Sequence, residues 1–332
     1  MQSKVVPSIA ILGKSMLLLD KALELARVFG EKSVRHADSF VNSLPYYLLT
    51  SRNKAQIYTN GHSHVVTAHH PHQNGTIMIF PEIGDGASLT ADILTGFAHK
   101  PETVMLARYT MKDLEKLQQG LAAKVESPDI TFTRIEDHSL DWIYPSHIID
   151  TKTTSEMQGG EFEKLRNKFN KVVNTVSIEP LSSPTATRSI KAALHFWIGS
   201  LIATGDENAQ DKMGFYECLI NNIQKYPGLF DGFVVHNGCE PVGFTVWDVV
   251  MDDTANSLAS LSRRSIKGLS EFQIVTACRK LNEQGIGFYN MGGSETKNLD
   301  LHKLKFRPTE SVEMASYQIN CKRPAYRVID LE

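Results

Sequence analysis

The chain has 332 residues, 42% of them hydrophobic and 22% charged, an ordinary globular composition with room for two domains of about 150 residues each. Its net charge of -2 argues against a general nucleic-acid coat or a membrane-surface protein, while leaving room for a local basic patch. No apolar run approaches the ~18 residues of a spanning helix, and "MQSKVVPSIAILGKSMLLLDKALELA" is broken by Lys14 and Asp20 and lacks a signal-peptide cleavage site. The expectation is a soluble, cytoplasmic protein without stable membrane insertion; nothing in the pattern specifies its oligomeric state.

Helix signals open the chain. "SMLLLDKALELARVFG" places Leu18, Ala22, Leu25 and Phe29 on one face and stops at Gly30, a natural helix-ending residue. "SFVNSLPYYLLTSR" reads as a second helix interrupted by its proline. Strands follow in "QIYTNG", "SHVVTAH" and "GTIMIFP". Helices are then predicted in "ASLTADILTGFAHK" and "TMKDLEKLQQGLAAK", with the strand "TVMLARY" between them and a late strand and bend in "ITFTRIEDHSLDWIYP". The polar stretch "DTKTTSEMQGGEFEKLRNKFNKV" shows no apolar face before Phe162, Leu165 and Phe169, as expected of a linker running into a helix. The resulting division is a domain over residues 1–150, a linker over 151–160 and a domain over 161–332.

The second half begins with helices in "SIKAALHFWIGSLIAT" and "GFYECLINNIQKYP". A hairpin turning at Asn237-Gly238 follows, then the strand "NSLASLSRR", the helix "SEFQIVTACRKLNEQG" and the strand "IGFYNM". Ser270, three residues before Gln273, has capping-box spacing, and Gly285 ends that helix. Hairpin, strand, helix, strand is the core order of the GNAT acyltransferase fold. The fold class is therefore α+β: two tandem GNAT-like domains, each a mixed, mainly antiparallel sheet flanked by helices, with the cleft in the second.

Cys218, Cys239, Cys278 and Cys321 are widely spaced with no C-x-x-C pair, so reduced thiols are expected rather than a disulfide framework or zinc knuckle. "GHSHVVTAHHPH" gathers His62, His64, His69, His70 and His72, and two imidazoles of a His-x-His strand share a face. No neighbouring cysteine or carboxylate completes a metal set, so no metal is expected. P-loop, GxGxxG and G-x-S-x-G patterns are absent.

Several segments together resemble the bacterial family related to the catalytic C-terminal domain of phosphatidylglycerol lysyltransferases, tandem GNAT folds similar also to Fem-type peptidyl transferases. "IMIFPEIGDGASLTADIL" looks like the family's strand, proline and glycine loop, and "EDHSLDWIYPSHIIDTK" like its acidic, aromatic bend. "EFEKLRNKFNKV" is similar to its basic helix. "EPVGFTVWDVV", "KGLSEFQIV" and "FYNMGGSETKNLDLHKLKFRP" look like its hairpin, helix entry and final segment. Six segments in order over nearly the whole chain carry the resemblance. Where the family often has two acidic residues around the Met291–Ser294 loop, this chain has two glycines and a serine ahead of Glu295.

The resemblance implies acyl or aminoacyl transfer to an amine or hydroxyl, with aminoacyl-tRNA or an acyl-CoA as co-substrate and tRNA or another phosphate-bearing molecule as partner; the alternatives are a non-catalytic ligand-recognition module on the same fold and aminoacyl transfer onto a modified nucleic acid. Such chemistry holds a donor, stabilises an oxyanion and removes a proton from the acceptor. Lys303 matches the family's Lys-x-x-aromatic-x-Pro pattern and reads either as an anion or carbonyl contact or as a solvated lysine. Glu295 reads as a base or amino-group contact, or as a first-turn acid facing the helix dipole. Gly292 and Gly293 permit close substrate approach, and Ser294 reads as a helix N-cap. Lys305 and Arg307 add positive charge to the same stretch. Arg166 and Asn167 stand on the basic helix as phosphate contacts or as part of a solvated face. Acetyl-CoA enzymes cradle pyrophosphate in a glycine-rich turn at a helix N-terminus. Here that place reads "SRRSIKGLSEF", where Lys267 and Gly268 supply charge and one close approach but Ser270 replaces the second glycine, which favours the larger donor.

Overall fold

The structure, a computed structural model, describes residues 16–17, 36–60, 63–84, 88–97, 103–124, 129–136, 143–203, 205, 209–250 and 252–322. In chain order the first elements are β1 (Met16–Leu17), a 3-10 turn (His36–Asn42), α1 (Leu44–Thr50), β2 (Gln56–Thr59), β3 (His64–His69) and β4 (Thr76–Ile79). Then come α2 (Ser88–Phe97), β5 (Thr103–Tyr109), α3 (Met111–Ala122), β6 (Asp129–Ile135), β7 (Ser146–Asp150), α4 (Thr151–Glu156) and α5 (Glu163–Asn170). The remainder is β8 (Ser177–Pro180), α6 (Ala186–Ala203), α7 (Ala209–Lys225), β9 (Asp231–Asn237), β10 (Glu240–Val250) and β11 (Thr254–Ser262). The chain closes with α8 (Leu269–Glu283), β12 (Phe288–Asn290), α9 (Lys297–Lys303), β13 (Glu310–Val312) and β14 (Ala315–Lys322).

Two seven-stranded sheets, each mainly antiparallel, organise this mixed α+β fold. The first runs β1-β2-β3-β4-β5-β14-β6 and the second β13-β7-β12-β11-β10-β9-β8. Each contains one parallel junction, β4 with β5 and β11 with β12, bridged in sequence by α2 and α8. Read from the hairpin, the orders correspond strand for strand, with β14 and β7 in equivalent places beside β5 and β12.

The chain does not divide where the composition shift suggests. One compact unit comprises Met1–Lys21, Lys54–Ser139 and Met314–Glu332, and the other Ala22–Asn53 with Leu140–Glu313. Hydrogen bonding explains this: β14 pairs with β5 and β6, while β7, placed by the sequence reading in a bend, pairs with β12. The expected linker is likewise ordered structure, since α4 buries Thr151, Thr154 and Ser155. Its polar residues are bonded internally, Thr151 Oγ1 donating to Ile286 O at 2.6 Å and Asp150 Oδ1 capping Thr153 N at 2.6 Å. A polar but satisfied face carries no apolar period, which is why it reads as linker.

Most of the helix expected over residues 15–30 lies outside the described residues; Met16–Leu17 pair with β2 as a short strand. Pro45 does not interrupt a helix but begins α1, where its missing N–H costs nothing, behind Ser43 as N-cap to Tyr46 N at 2.9 Å. Thr110 and Asp113 form a reciprocal capping box on α3. The first unit's core joins Val65, Ile79, Leu94, Val104, Leu106, Leu114 and Leu117; the second's centres on Phe233, Trp247, Phe272, Val275, Tyr289 and Phe306.

The expected capping box on α8 is not made. Gly268 is the N-cap with φ 97°, Ser270 Oγ donates to Glu271 Oε2 at 3.0 Å, and Gln273 is fully buried. The Gln273 amide donates instead to Phe244 O and Leu261 O, each at 2.9 Å, tying α8 to β10 and β11. A Cβ at Gly268 would lie 2.6 Å from the Lys168 carbonyl oxygen. Left-handed backbone and this contact together set a prediction: Gly268→Ala lowers unfolding free energy by about 1–3 kcal/mol, read by urea denaturation. An unchanged midpoint would mean that α5 does not press on this turn.

Candidate functional site

The second unit holds the residues brought together by the sequence pattern. β11 and β12 pair in parallel over only three positions, Thr254 with Phe288, Ala255 with Tyr289 and Asn256 with Asn290. Beyond that point β11 continues to Ser262, while the other strand gives way to the loop 291–295. The parallel pairing ends there, and the loop that follows is itself buried from Met291 to Ser294.

A buried polar row shapes the loop from beneath. Asp248, Asn256 and Asn290 stand side by side on β10, β11 and β12. The turn before α1 covers them, Ser43 Oγ donating to Asp248 Oδ2 at 2.7 Å and Asn290 Nδ2 donating to Ser39 Oγ at 2.9 Å. Ser39 Oγ in turn donates to Asn256 Oδ1 at 2.5 Å. Asn290 Oδ1 accepts from Ser146 Oγ and from the Gly292 amide, both at 2.9 Å. Gly292 adopts φ 70°, a conformation glycine enters without penalty, so the first glycine of the pair is explained by the turn. Burying polar groups is stabilising only when each finds a partner; Asn256 and Asn290 are engaged here, whereas Asp248 Oδ1 is buried without one.

Lys303 closes the loop from above. Its ammonium, half-buried at the end of α9, donates to Gly292 O at 3.1 Å and to Gly293 O. Tyr144 N bonds Ser294 O at 3.0 Å, and the His147 backbone bonds both Met291 N and Gly292 O. Ser294 is fully buried, and Thr296 rather than Ser294 is the N-cap of α9, its Oγ1 accepting from Leu299 N at 3.3 Å. Glu295 is half-buried beside Tyr216; burial pushes the Tyr216 phenol up and the Glu295 charge adds to it. Gly292, Gly293, Ser294, Glu295 and Lys303 therefore form one constellation.

The other expected positions lie apart from it. Arg166 serves the fold, its Nη1 donating to Met157 O and to Gly159 O at 2.7 Å and so fixing a left-handed turn at Met157 (φ 48°) and Gly159 (φ 86°). Asn167 and Lys267 are exposed. Lys305 stands 3.4 Å from Glu271 Oε1, and Arg307 donates to Glu161 O at 3.4 Å from a left-handed position of its own.

Glu271 is the hub of this second cluster. Lys168 Nζ lies at 2.5 Å, Lys305 Nζ at 3.4 Å and His302 Nδ1 at 3.9 Å from its Oε1. Burial alone would raise the Glu271 carboxyl, but the Lys168 hydrogen bond and the surrounding charge hold it at about 2. Burial and the nearby lysines outweigh Glu271 at His302 and bring that imidazole down to about 4. The α8 N-terminus, where a pyrophosphate cradle would sit, thus has the Lys168 carbonyl against Gly268 and a protein carboxylate in its first turn.

Among the described residues, no group of three or more His, Cys, Asp or Glu could hold a metal, and no helix is long and apolar enough to cross a membrane. In the histidine-rich segment His70 Nδ1 accepts from His72 N at 3.1 Å and Gln73 N at 3.0 Å, an ordinary turn role. Sequence reasoning missed Ser146, Asn256 and Asn290, whose only signal was a polar residue on an otherwise apolar strand, and Ser39, which lies in the turn before α1.

The two mixed, mainly antiparallel sheets define a GNAT-like fold. The family model for the phosphatidylglycerol lysyltransferase C-terminal region matches residues 42–315, and the chain belongs to that family. Among solved structures, it is similar to a conserved protein of unknown function from Bacteroides thetaiotaomicron, at 16% identity and TM-score 0.71, covering 93% of this chain and 99% of that one. The C-terminal domain of a putative lysylphosphatidylglycerol synthetase from Agrobacterium fabrum matches at 11% identity and TM-score 0.61, over 90% and 92% of the two chains. L-PGS from Bacillus licheniformis matches at 13% and 0.55, over 91% and 93%. At these identities the likeness is one of fold. No curated protein matches the sequence.

Proposed function

We propose that the protein transfers an aminoacyl group from aminoacyl-tRNA to an amine or hydroxyl acceptor at the Gly292–Glu295 loop. The observation that carries this reading is the loop itself, set where β11 and β12 part, shaped by Asn290 and held by Lys303. Family membership supports transferase chemistry, and lysyl transfer to phosphatidylglycerol, which the family is named for, is a precedent for it.

In the proposed reaction the acceptor nitrogen or oxygen attacks the ester carbonyl carbon of the charged tRNA. The new acyl bond forms as the ester bond to the terminal ribose breaks, and the ribose oxygen leaves with a proton. Glu295 accepts the acceptor's proton, and the Lys303 charge favours the developing oxyanion through its position at the loop. Asn167, Lys267 and the outward ends of the basic helix α5 are proposed to meet donor phosphates, whose recognition by cations is strong and salt-dependent. The state of Gly268 supports tRNA over acyl-CoA, because the Lys168 carbonyl occupies the space beside the α8 N-terminus.

The test is calorimetry and transfer together. Charged tRNA is expected to bind and to lose its aminoacyl group to an added acceptor, while acetyl-CoA binds at least tenfold more weakly. Tight, stoichiometric acetyl-CoA binding with no tRNA binding would reverse the donor assignment and restore a simple N-acyltransferase.

A further inference from the structure

The side chains of β7, α9 and β13 form a second arrangement that aminoacyl transfer does not use. His147 on β7 is buried, 2% exposed, and both its ring nitrogens are engaged. Nε2 lies 2.7 Å from Asp300 Oδ1 on α9, and Nδ1 lies 2.8 Å from Ser311 Oγ on β13. A carboxylate only accepts, so in the neutral imidazole the proton sits on Nε2 and is donated to Asp300. Nδ1 is then an acceptor, and the hydrogen it receives is that of the Ser311 hydroxyl. Nucleophile, base and orienting acid thus stand in the sequence of contacts that activates a hydroxyl.

We propose that Ser311, His147 and Asp300 form a nucleophilic centre that cleaves small carboxylic esters through an acyl-serine. Accessibility supports this, because Ser311 is exposed while its base and carboxylate are sheltered, with only 14% of the Asp300 side chain open to solvent. The backbone supplies a second element. His147 directs its N–H to Gly292 O and its C=O to Met291 N, on the loop side. Ser311 faces His147 across an antiparallel pair, and in such ladders residues opposite one another share the direction of their backbone groups, both inward or both outward. The Ser311 amide therefore points to the open edge of β13, the terminal strand of its sheet, where it can donate to an oxyanion formed at the same residue.

The step balances without a further reagent. Ser311 Oγ forms a bond to the ester carbonyl carbon as its proton passes to His147 Nδ1, and Asp300 steadies the resulting imidazolium through Nε2–H. The ester C–O bond breaks, the alcohol leaves with the proton returned by His147, and an acyl-serine remains. Water then repeats the sequence on the acyl-serine, releasing the carboxylic acid and restoring the hydroxyl. The site on a strand edge suits compact acyl groups. It depends on no tRNA and stands whether or not the transfer reaction does.

The experiment is labelling of the full chain with a fluorophosphonate, mapped by peptide mass spectrometry, alongside p-nitrophenyl acetate hydrolysis. A single adduct on Ser311 is expected, absent in Ser311→Ala, a substitution at an exposed position that leaves the melting temperature in place. Asp300→Asn, checked for folding by its melting curve, is expected to slow labelling about a hundredfold or more, the scale of a lost acid–base partner. Adducts only at other residues in the wild type would overturn the proposal. So would an unchanged labelling rate in folded Asp300→Asn, which would leave Ser311 an ordinary surface hydroxyl bonded across two strands.

Discussion

Replacing Lys303 by methionine is expected to weaken aminoacyl transfer by roughly ten- to a hundredfold and to destabilise the protein at the same time. The ammonium sits on Gly292 O and Gly293 O, so its loss leaves two carbonyls of the loop without their charged donor. A hydrogen bond to a charged group contributes about 1.5–3 kcal/mol, and each 1.4 kcal/mol is a factor of ten. Methionine keeps the length and apolar stem of lysine, which isolates the charge from the packing. The two losses separate by measurement. Transfer is followed per folded molecule under conditions where both proteins are fully native, and stability is followed by denaturant. A purely structural lysine would show the stability loss with transfer unchanged in the native protein, which would remove Lys303 from the proposed site.

How much of this was legible in the sequence differs by element. The β9–β10 hairpin, β11, α8 and β12 were readable because each carries a clean apolar run bounded by a turn, as at Asn237-Gly238. β7 was not, since "SHIID" follows a proline-ended bend and its partner, β12, lies over a hundred residues away. The same remoteness hid β14, whose local pattern gives no sign that it pairs with β5 and β6. Strand partners at long range are set by the whole sheet, and local pattern reports only the period. Glycine proved ambiguous for a related reason. Gly268 suggests a phosphate approach in sequence, yet the space it leaves is taken by the Lys168 carbonyl.

The candidate site shows the same division. Lys303 and the two glycines were found because charge and glycine together at a strand end are unusual. Asn290 was not, because one asparagine at the end of "IGFYN" looks like turn punctuation. Its importance comes from three bonds, to Ser39, Ser146 and Gly292 N, contributed by segments far apart in the chain. Arg166 errs in the other direction: a basic helix suggested phosphate, and the guanidinium instead holds the backbone of a left-handed turn. Arginine's several donors fit carbonyls of a tight turn as readily as an anion.

Asp248 at the far end of that polar row should make the protein's stability fall with rising pH. The carboxyl is 3% exposed; burial is the dominant cause raising it from 3.8 to about 7, with the Ser43 and Asn256 hydrogen bonds pulling the other way. Between those values the native protein keeps a proton that the unfolded chain has released. Stability therefore decreases as pH rises through this window, is unaffected by the group below about pH 4, and carries the full cost above about pH 7. A displacement of about three pH units corresponds to about 4 kcal/mol at the upper end. An amide cannot ionise, so the substitution Asp248→Asn removes the slope while the new side-chain oxygen still accepts from Ser43. His302 acts oppositely, since an imidazole lowered to about 4 in the native state makes stability rise with pH between about 4 and 6.5. Subtracting the two proteins cancels that contribution. Urea unfolding at pH 5 and pH 8 is expected to show Asp248→Asn gaining on the wild type by about 3 kcal/mol between the two. A difference that stays constant across this range would mean that Asp248 is ionised in the native protein and that the row leading to Gly292 is built around a charge.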